Sequence, residues 1–470
     1  MSERATDGSN PERVRSRSMW LDTCGDDLTP RAPLPGDLDC DVAIVGGGLT
    51  GLWTALHVRE LDPSCRVVVI ESEVCGFGAS GRNGGWCSAL FPTSLDSLAI
   101  LAGRDAAIAQ HRAMIDTVTA VGADVLRLGI DCGWALGGTL SVATNPAHVP
   151  RLRDYVDERH RWGFGDDDDR WLGPAAMAER IRPVGGAGGS YTPHCAAVQP
   201  AKLVRGLARS VESAGATIYE ATTATSIAPG VVRTPLGTVR AATVLRCTEG
   251  YTSQLPSEKR RILPLYSLMI ATEPLPDDVW EQIGLAERET FTDGRHLLIY
   301  GQRTADGRMA FGGRGAPYHF GSRIADEFDR NARVARDLTS TLHHLFPELA
   351  DAAITHHWGG PLGVPRDWTA SVRFDRSTGM GEAGGYVGDG VSTTHLAGAT
   401  LADLVLRRDT DRTRLAWVGH RSRDWEPEPL RWAGVNAARV LAAATDRRET
   451  RRRRPAPVLG AVLDRFTGGH

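Results

Sequence analysis

The apolar and polar positions of the chain fall into three patterns. Asp41 to Val45 is a short β-branched run that reads as a buried strand, and at Gly46 it breaks into a glycine-dense turn. Leu49 to Glu60 follows with helical apolar spacing at Leu49, Leu52, Trp53 and Leu56, continued by Leu61. A second strand, Arg66 to Ile70, ends at Glu71. Farther on, Val198 to Ile227 reads as helix, glycine stop and strand, Thr243 to Ser253 as a strand ending in a turn, and Tyr386 to Leu406 as a glycine turn leading into an apolar helix from about Ser392. Between these lie the stretches "ALGGTLSVAT", "LPLYSLMIAT" and "HLLIYGQRTADGRMAFGGRG", which read as an antiparallel sheet with a tight turn at Asp306-Gly307. The fold class predicted is α/β, a Rossmann-like domain interleaved with an α+β domain built on that sheet.

The strand-to-helix context gives the first turn its chemistry. Gly46, Gly48 and Gly51 fit Gly-x-Gly-x-x-Gly, in which the first glycine permits the tight turn, the second admits a pyrophosphate to the backbone and the third lets helix pack on strand. The helix start at Leu49 and Thr50 supplies free N–H groups to phosphates. Glu71, 20 residues after Gly51, can accept hydrogen bonds from an adenosine ribose and argues against a 2′-phosphate. An ADP-containing cofactor follows, with NAD and FAD both open at this point. "GFGASG", Gly76 to Gly81, also matches the pattern, but no β-run leads into it, so it reads as incidental.

Three further stretches carry a resemblance: "SEVCGFGASGRNGGW" after Glu71, "HHWGGPLGVPRDW", and "GGYVGDGVSTTHLAGATLADLVL". From about Trp20 through Leu406 the chain resembles the D-amino-acid oxidase-like superfamily of FAD-dependent oxidoreductases, and within it the branch that includes gamma-glutamylputrescine oxidases. The resemblance implies FAD, with Ser72, Ala224, Thr248 and Gly250 on the cofactor side, and oxidation of a C–N bond in a small amine or amino acid. A hydride would pass to the flavin N5 and leave an imine for water to hydrolyse; oxygen or another carrier would then accept the electrons. The residues support FAD independently, because glycine-rich contacts appear at both ends of the chain. In "GASGRNGG", Ala79, Ser80, Arg82 and Asn83 lie beside Gly84 and Gly85, which let backbone approach a flat ring. At the other end Gly388, Asp389, Gly390, Val391 and Ser392 open a helix whose dipole favours negative charge on a reduced flavin. Whether Asp389 touches the cofactor or caps the helix is open from sequence.

The FAD domain is then expected at 38–100, 199–260 and 355–408, and the substrate domain at 101–198 and 261–354. An N-terminal extension covers 1–37, and a helical C-terminal extension with a basic tail covers 409–470. Substrate-facing candidates are Tyr300, Arg303 and Arg314 on the hairpin and Trp358 and Arg366 before the last helix, with Tyr266 and His395 as further options. Either of the first two arginines could clamp a carboxylate. Strand alternation puts Tyr300 and Gln302 on one face and Arg303 on the other, so these cannot all face the flavin.

Composition narrows the alternatives. With 54 basic and 57 acidic side chains the formal charge is −3, which gives no field that would gather nucleic acid or anionic membrane. No apolar stretch reaches 18 residues and no leader pattern opens the chain, so a cytoplasmic protein without a membrane span is expected. The eight cysteines lack zinc-like spacing, and the pairs His343-His344 and His356-His357 lack ligand spacing, so no metal is expected. Met1 to about Ser18, the acidic Gly165–Arg170 and the Arg-rich stretch around Arg451–Arg454 read as less ordered. Two other readings compete: a flavin monooxygenase drawing electrons from NAD(P)H, and a non-enzymatic flavin-binding protein contacting a partner through its basic tail.

Overall fold

A computed structural model, which describes residues 10–313 and 315–456, contains two large sheets. The first is built around Leu38–Val45, whose side chains from Val42 to Val45 are all buried. It pairs in parallel with Val67–Ile70 and with Gly237–Arg246. Thr217–Tyr219 extends the sheet beyond Val67–Ile70, while Met380–Gly384 and Ser371–Asp375 extend it beyond Gly237–Arg246. Such continuous apolar runs belong to parallel strands covered on both faces. Here the helices Leu49–Leu61, Pro200–Ser213 and Gly390–Val405 pack over the sheet. Gly398 sets the approach of two of them, because a Cβ there would lie 2.7 Å from the Cβ of Trp53.

The second sheet runs in the order Ile354–Val364, Leu263–Thr272, Met309–Gly313, Ile299–Arg303, Thr290–Asp293, Thr139–Val142, Gly189–Thr192, Arg170–Leu172. The expected hairpin is present, with Gly307 at φ +76° in its turn. The sheet is not wholly antiparallel as expected: Thr290–Asp293 pairs in parallel with Thr139–Val142. The long stretch of chain between those strands removes the hairpin constraint that enforces antiparallel pairing. Ile354–Val364, which the expected division groups with the first sheet's segments, pairs with Leu263–Thr272 in this second sheet. Helix Ala332–Leu345 covers the sheet's outer face through Val334, Leu338, Leu342 and Leu345.

All three stretches read as less ordered are structured where they are described. Residues 10–18 form the helix Pro11–Arg15 and the cap of Met19–Thr23. Val14, Met19, Trp20 and Leu21 are buried, and Arg13 and Arg17 pair with Asp326. In the acidic stretch, Asp168 pairs with Arg112 and Asp169 with Arg159, both carboxylates buried; only Asp166 and Asp167 read as solvated. Helix Leu430–Arg452 carries the basic stretch onward, with Arg451 to Arg454 exposed. These segments look polar because their apolar anchors are few and their charges have partners distant in sequence. Trp417 and Trp425 are buried, so the segment after Asp409 docks on the body as its tryptophans suggested. No described helix is long and apolar enough to cross a membrane, and all eight cysteines are free thiols and buried.

Candidate active site

The glycine turn has the geometry its spacing requires. Gly46 adopts φ +114°, and a Cβ there would lie 2.4 Å from the Cys247 carbonyl oxygen. A Cβ on Gly51 would lie 2.1 Å from the Gly46 carbonyl oxygen, so only glycine lets helix Leu49–Leu61 sit this close to the strand. Gly48 is the N-cap and offers no side chain to the first helical N–H groups, which leaves the helix start suited to an anion. Leu49 differs from expectation: its N–H donates to Ser80 Oγ at 2.9 Å, tying the helix to the next loop. Thr50 shares a hydrogen bond with the Tyr386 hydroxyl.

Glu71 braces this turn. Its carboxylate accepts the Gly47 N–H at 2.7 Å and the Glu73 N–H at 3.0 Å, while the exposed Ser72 hydroxyl donates to it at 3.3 Å. Burial pushes the Glu71 carboxyl up to about 7, against the two backbone donors that favour ionisation. The second Gly-x-Gly-x-x-Gly leads only into the 3-10 turn Ala79–Gly81, but it packs on the first turn through Gly76 N–H to the Gly47 carbonyl.

The loop after it is a built structure whose polar groups are committed to the protein. Asn83 Nδ2 donates to the Ala79 and Ser80 carbonyls, and its Oδ1 accepts the Gly85 N–H. Arg82 is buried; its Nη1 donates to Asp329 at 2.6 Å and to the Gly359 carbonyl, and its Nη2 to the Tyr251 hydroxyl at 2.8 Å. Arg82 and Asn83 thus spend these side-chain donors on the protein and organise the loop. Gly84 and Gly85 do permit close approach. A Cβ on Gly84 would meet the Tyr300 ring at 3.0 Å, and one on Gly85, at φ +70°, the Val198 carbonyl oxygen at 2.5 Å.

At the other end of the chain, Gly388 takes φ +112° and helix Gly390–Val405 begins. Asp389 is its N-cap residue, yet the side chain makes no capping bond, so the capping alternative is not realised. Ser392 donates to the Ser88 carbonyl. Gly250 packs beside the Pro361 carbonyl, Thr248 shares a hydrogen bond with Thr252, and Ala224 packs at the edge of the first sheet's apolar cluster.

These pieces converge on a cavity of about 130 Å³ whose wall includes Arg82, Gly84, Trp86, Tyr300, Asp389 and Val391. A larger cavity of about 1080 Å³ shares Leu90, Thr292, Leu298 and Asp389 with it. From the second sheet, Thr139, Ser141, Ser190, Thr192 and Thr292 line the larger cavity. Residues of helix Leu430–Arg452, among them Leu430, Val435, Ala438 and Ala442, line it as well. Trp86 Nε1 in the smaller cavity is buried without a hydrogen-bond partner. Buried donors are rarely left so, and a heteroaromatic ligand bearing acceptors fits that wall.

The substrate-facing candidates separate. Tyr300 lines the smaller cavity, its hydroxyl 2.8 Å from Ser267 Oγ. Arg366 lies at the larger cavity, paired with Glu426. Arg303 is corrected: it lies over the Trp280 ring, 4.9 Å from its centroid, and near Asp277, on the sheet face away from both cavities, as alternation requires. We expect Arg303→Ala to leave kcat/KM within twofold and to cost about 0.5–1 kcal/mol of stability, checked by steady-state kinetics and urea unfolding. Trp358 is buried against Trp20 and donates Nε1–H to the Arg82 carbonyl, so it positions the loop and lines neither of these two cavities. His395 packs between Trp53 and His57 and bonds Asp124. His356 pairs with Asp22, and His357 accepts the Asn331 N–H. Arg314 lies outside the described residues.

Sequence reasoning missed Asp329, Trp86 and Gln302. Trp86 follows the glycine loop directly, and Gln302, whose Nε2 donates to the Gly84 and Gly85 carbonyls, was on the Tyr300 face; both were findable. Asp329, 247 positions from Arg82, left no local signal.

Comparison with known proteins bears on this geometry. Residues 41–404 match the family model described as FAD dependent oxidoreductase, DAO. The chain is 31% identical over 401 residues to gamma-glutamylputrescine oxidoreductase of Escherichia coli K12, covering 84% of this chain and 90% of that protein. In structure it resembles glycine oxidase from Geobacillus kaustophilus, with TM-score 0.68, 23% identity and coverage of 82% of this chain and 99% of that one. It also resembles L-proline dehydrogenase from P. horikoshii, with TM-score 0.65, 17% identity and coverage of 80% and 95%.

Proposed function

Because this chain belongs to the DAO family of FAD-dependent oxidoreductases, we propose that it binds FAD and oxidises a C–N bond of a small amine or amino acid. The observation that carries this reading is the meeting of the two glycine-rich ends of the chain, Ala79–Gly84 and Gly388–Val391, in one cavity wall that opens towards a larger cavity. The helix start behind Gly46, Gly48 and Gly51 would hold the pyrophosphate, Glu71 the adenosine ribose, and the two glycine-rich ends the ring. When bound, the flavin supplies a hydride acceptor at N5 for the carbon beside a neutral amine nitrogen, which leaves an imine that water hydrolyses.

The chain's own residues supply position and field. Trp86 and Tyr300 stand edge to face with centroids 6.1 Å apart and wall the ring side. The N-terminus of helix Gly390–Val405 favours negative charge on atoms next to it. In the larger cavity Asp154, Glu158 and the sheet hydroxyls offer acceptors to an amine. Similarity to a protein named gamma-glutamylputrescine oxidoreductase supports this class. Oxygen or another carrier would take the electrons onward.

Replacing the hydrogens on the carbon beside the nitrogen with deuterium tests the chemistry. Slower anaerobic bleaching of the flavin with the deuterated amine is expected; unchanged bleaching for every reactive amine would overturn hydride removal from that carbon as the slow step. The ribose role of Glu71 gives a pH dependence. Ribose hydroxyls donate to the ionised carboxylate, so binding favours loss of the proton that burial holds on up to about pH 7. FAD affinity of the apoprotein should therefore rise with pH up to about 7 and level off above it, with the slope absent in Glu71→Gln. Fluorescence titration with FAD between about pH 5.5 and about pH 8 checks this.

A further inference from the structure

Outside both cavities, side chains from three helices meet: His57 on helix Leu49–Leu61, Asp124 on helix Arg104–Arg127 and His395 on helix Gly390–Val405. One metal-ligating atom from each lies within 4.8 Å of the others. His395 Nε2 stands 2.8 Å from Asp124 Oδ2, close enough for the two to share one ion with bonds of about 2.0–2.2 Å. The third donor is uncommitted: His57 Nε2 is buried and has no hydrogen-bond partner. Burial and the neighbouring His395 push the His57 imidazole down to about 3, so it is neutral near pH 7, the form that ligates metals. Trp53 fixes both rings, stacked on His57 with centroids 6.0 Å apart and edge to face with His395 at 4.7 Å.

The charges around the trio are matched. Asp124 Oδ1 accepts from Arg127, which also pairs with Glu60, and Arg412 is paired with Asp403, so Asp124 Oδ2 is left to the histidine side. The Asp124 side chain stays 17% exposed, which gives an ion a way in. Two imidazoles and one carboxylate suit zinc and its first-row neighbours, whereas calcium and magnesium call for oxygen ligands. A second trio, His296, Asp446 and Glu449, is equally close but its donors are spent. Asp446 accepts the His296 and Leu297 N–H groups, Glu449 accepts from Arg151 and the Ala456 N–H, and His296 Nε2 lies 2.7 Å from Arg151 Nη2.

We propose that His57, Asp124 and His395 form a binding site for a divalent transition-metal ion, zinc foremost, with water in the remaining position. His395 would ligate through Nε2 with its proton on Nδ1. The ion would tie together three helices of the layer that covers the first sheet, which makes its role reinforcement of that layer. This goes beyond the proposed oxidation and does not rest on it. Local spacing could not announce the site, because each ligand stands on a different helix.

The test is titration calorimetry with zinc chloride on the full-length protein, treated with a chelator and then freed of it. One zinc ion per chain should bind with a Kd below about 10 µM. His57→Gln and Asp124→Asn should each weaken that binding about a hundredfold, and each serves if the other does not fold. His296→Asn, at the second trio, should leave the affinity within about twofold. Zinc at about a hundredfold excess over its Kd should raise Tm by about 3–6 °C, since it joins the helices only in the folded chain, and His57→Gln should abolish that shift. No one-to-one uptake below about 10 µM, uptake that survives in both ligand variants, or uptake lost in His296→Asn instead overturns the site.

Discussion

Replacing Asp329 with alanine is expected to lower the unfolding free energy by about 3–5 kcal/mol, the cost of leaving a buried charge without its partner. The Arg82 side chain is 1% exposed and its main counter-charge is the Asp329 carboxylate, which Arg17 also contacts. Removing the carboxylate strands the Arg82 guanidinium in the interior, while Arg17 keeps its pair with Asp326. The Gly359 and Gly78 carbonyls and the Tyr251 hydroxyl remain as acceptors but carry no charge to balance. Asp329→Asn should fall between, keeping one acceptor. Urea unfolding followed by tryptophan fluorescence measures the difference, and Arg82's place in the cavity wall means bound flavin should fall alongside stability. An alanine variant as stable as the parent would show that Arg82 does not need its counter-ion.

A single methyl group at Gly51 should have the next largest effect. The added carbon would lie 2.1 Å from the Gly46 carbonyl oxygen, and neither backbone can yield without moving helix Leu49–Leu61 off its strand. Overpacking of this kind costs about 1–3 kcal/mol. Displacement of the helix start from the phosphate site should then weaken FAD about ten- to a hundredfold in Gly51→Ala. Gly165→Ala, where nothing lies within 4 Å of the new carbon, is the control and should leave FAD affinity unchanged. Equal FAD content in both variants would mean the turn does not hold the nucleotide.

What was legible in the sequence was what local geometry dictates. The strand, turn and helix from Leu38 to Leu61 are adjacent in sequence, and their glycines are forced by contacts within a few residues or with one neighbouring strand. The hairpin at Gly307 was legible for the same reason. Alternation already placed Arg303 opposite Tyr300, and the structure finds it against Trp280. Long-range pairing was not legible. The polar N-terminal stretch reads as loose until Trp20 is seen against Trp358 and donating to the Asn83 carbonyl, a bond spanning 63 positions. The acidic stretch reads as solvated until Asp168 meets Arg112 and His194. Donor-rich side chains do not reveal their partners by type: Arg82 and Asn83 suggest ligand contacts, and in the fold their side-chain donors also serve the backbone carbonyls of Gly359 and Ala79. The wall formed by helix Leu430–Arg452 left no motif, because its residues act only by where the helix docks.

The central claim is that a bound flavin is reduced by an amine. The visible absorption spectrum of the purified protein, taken before and after anaerobic addition of a panel of amines and amino acids, tests it directly. The account predicts a flavin band that one class of amine bleaches while NADPH alone leaves it intact. A protein that shows no flavin band even after FAD is supplied, or whose band only NADPH bleaches, would contradict it.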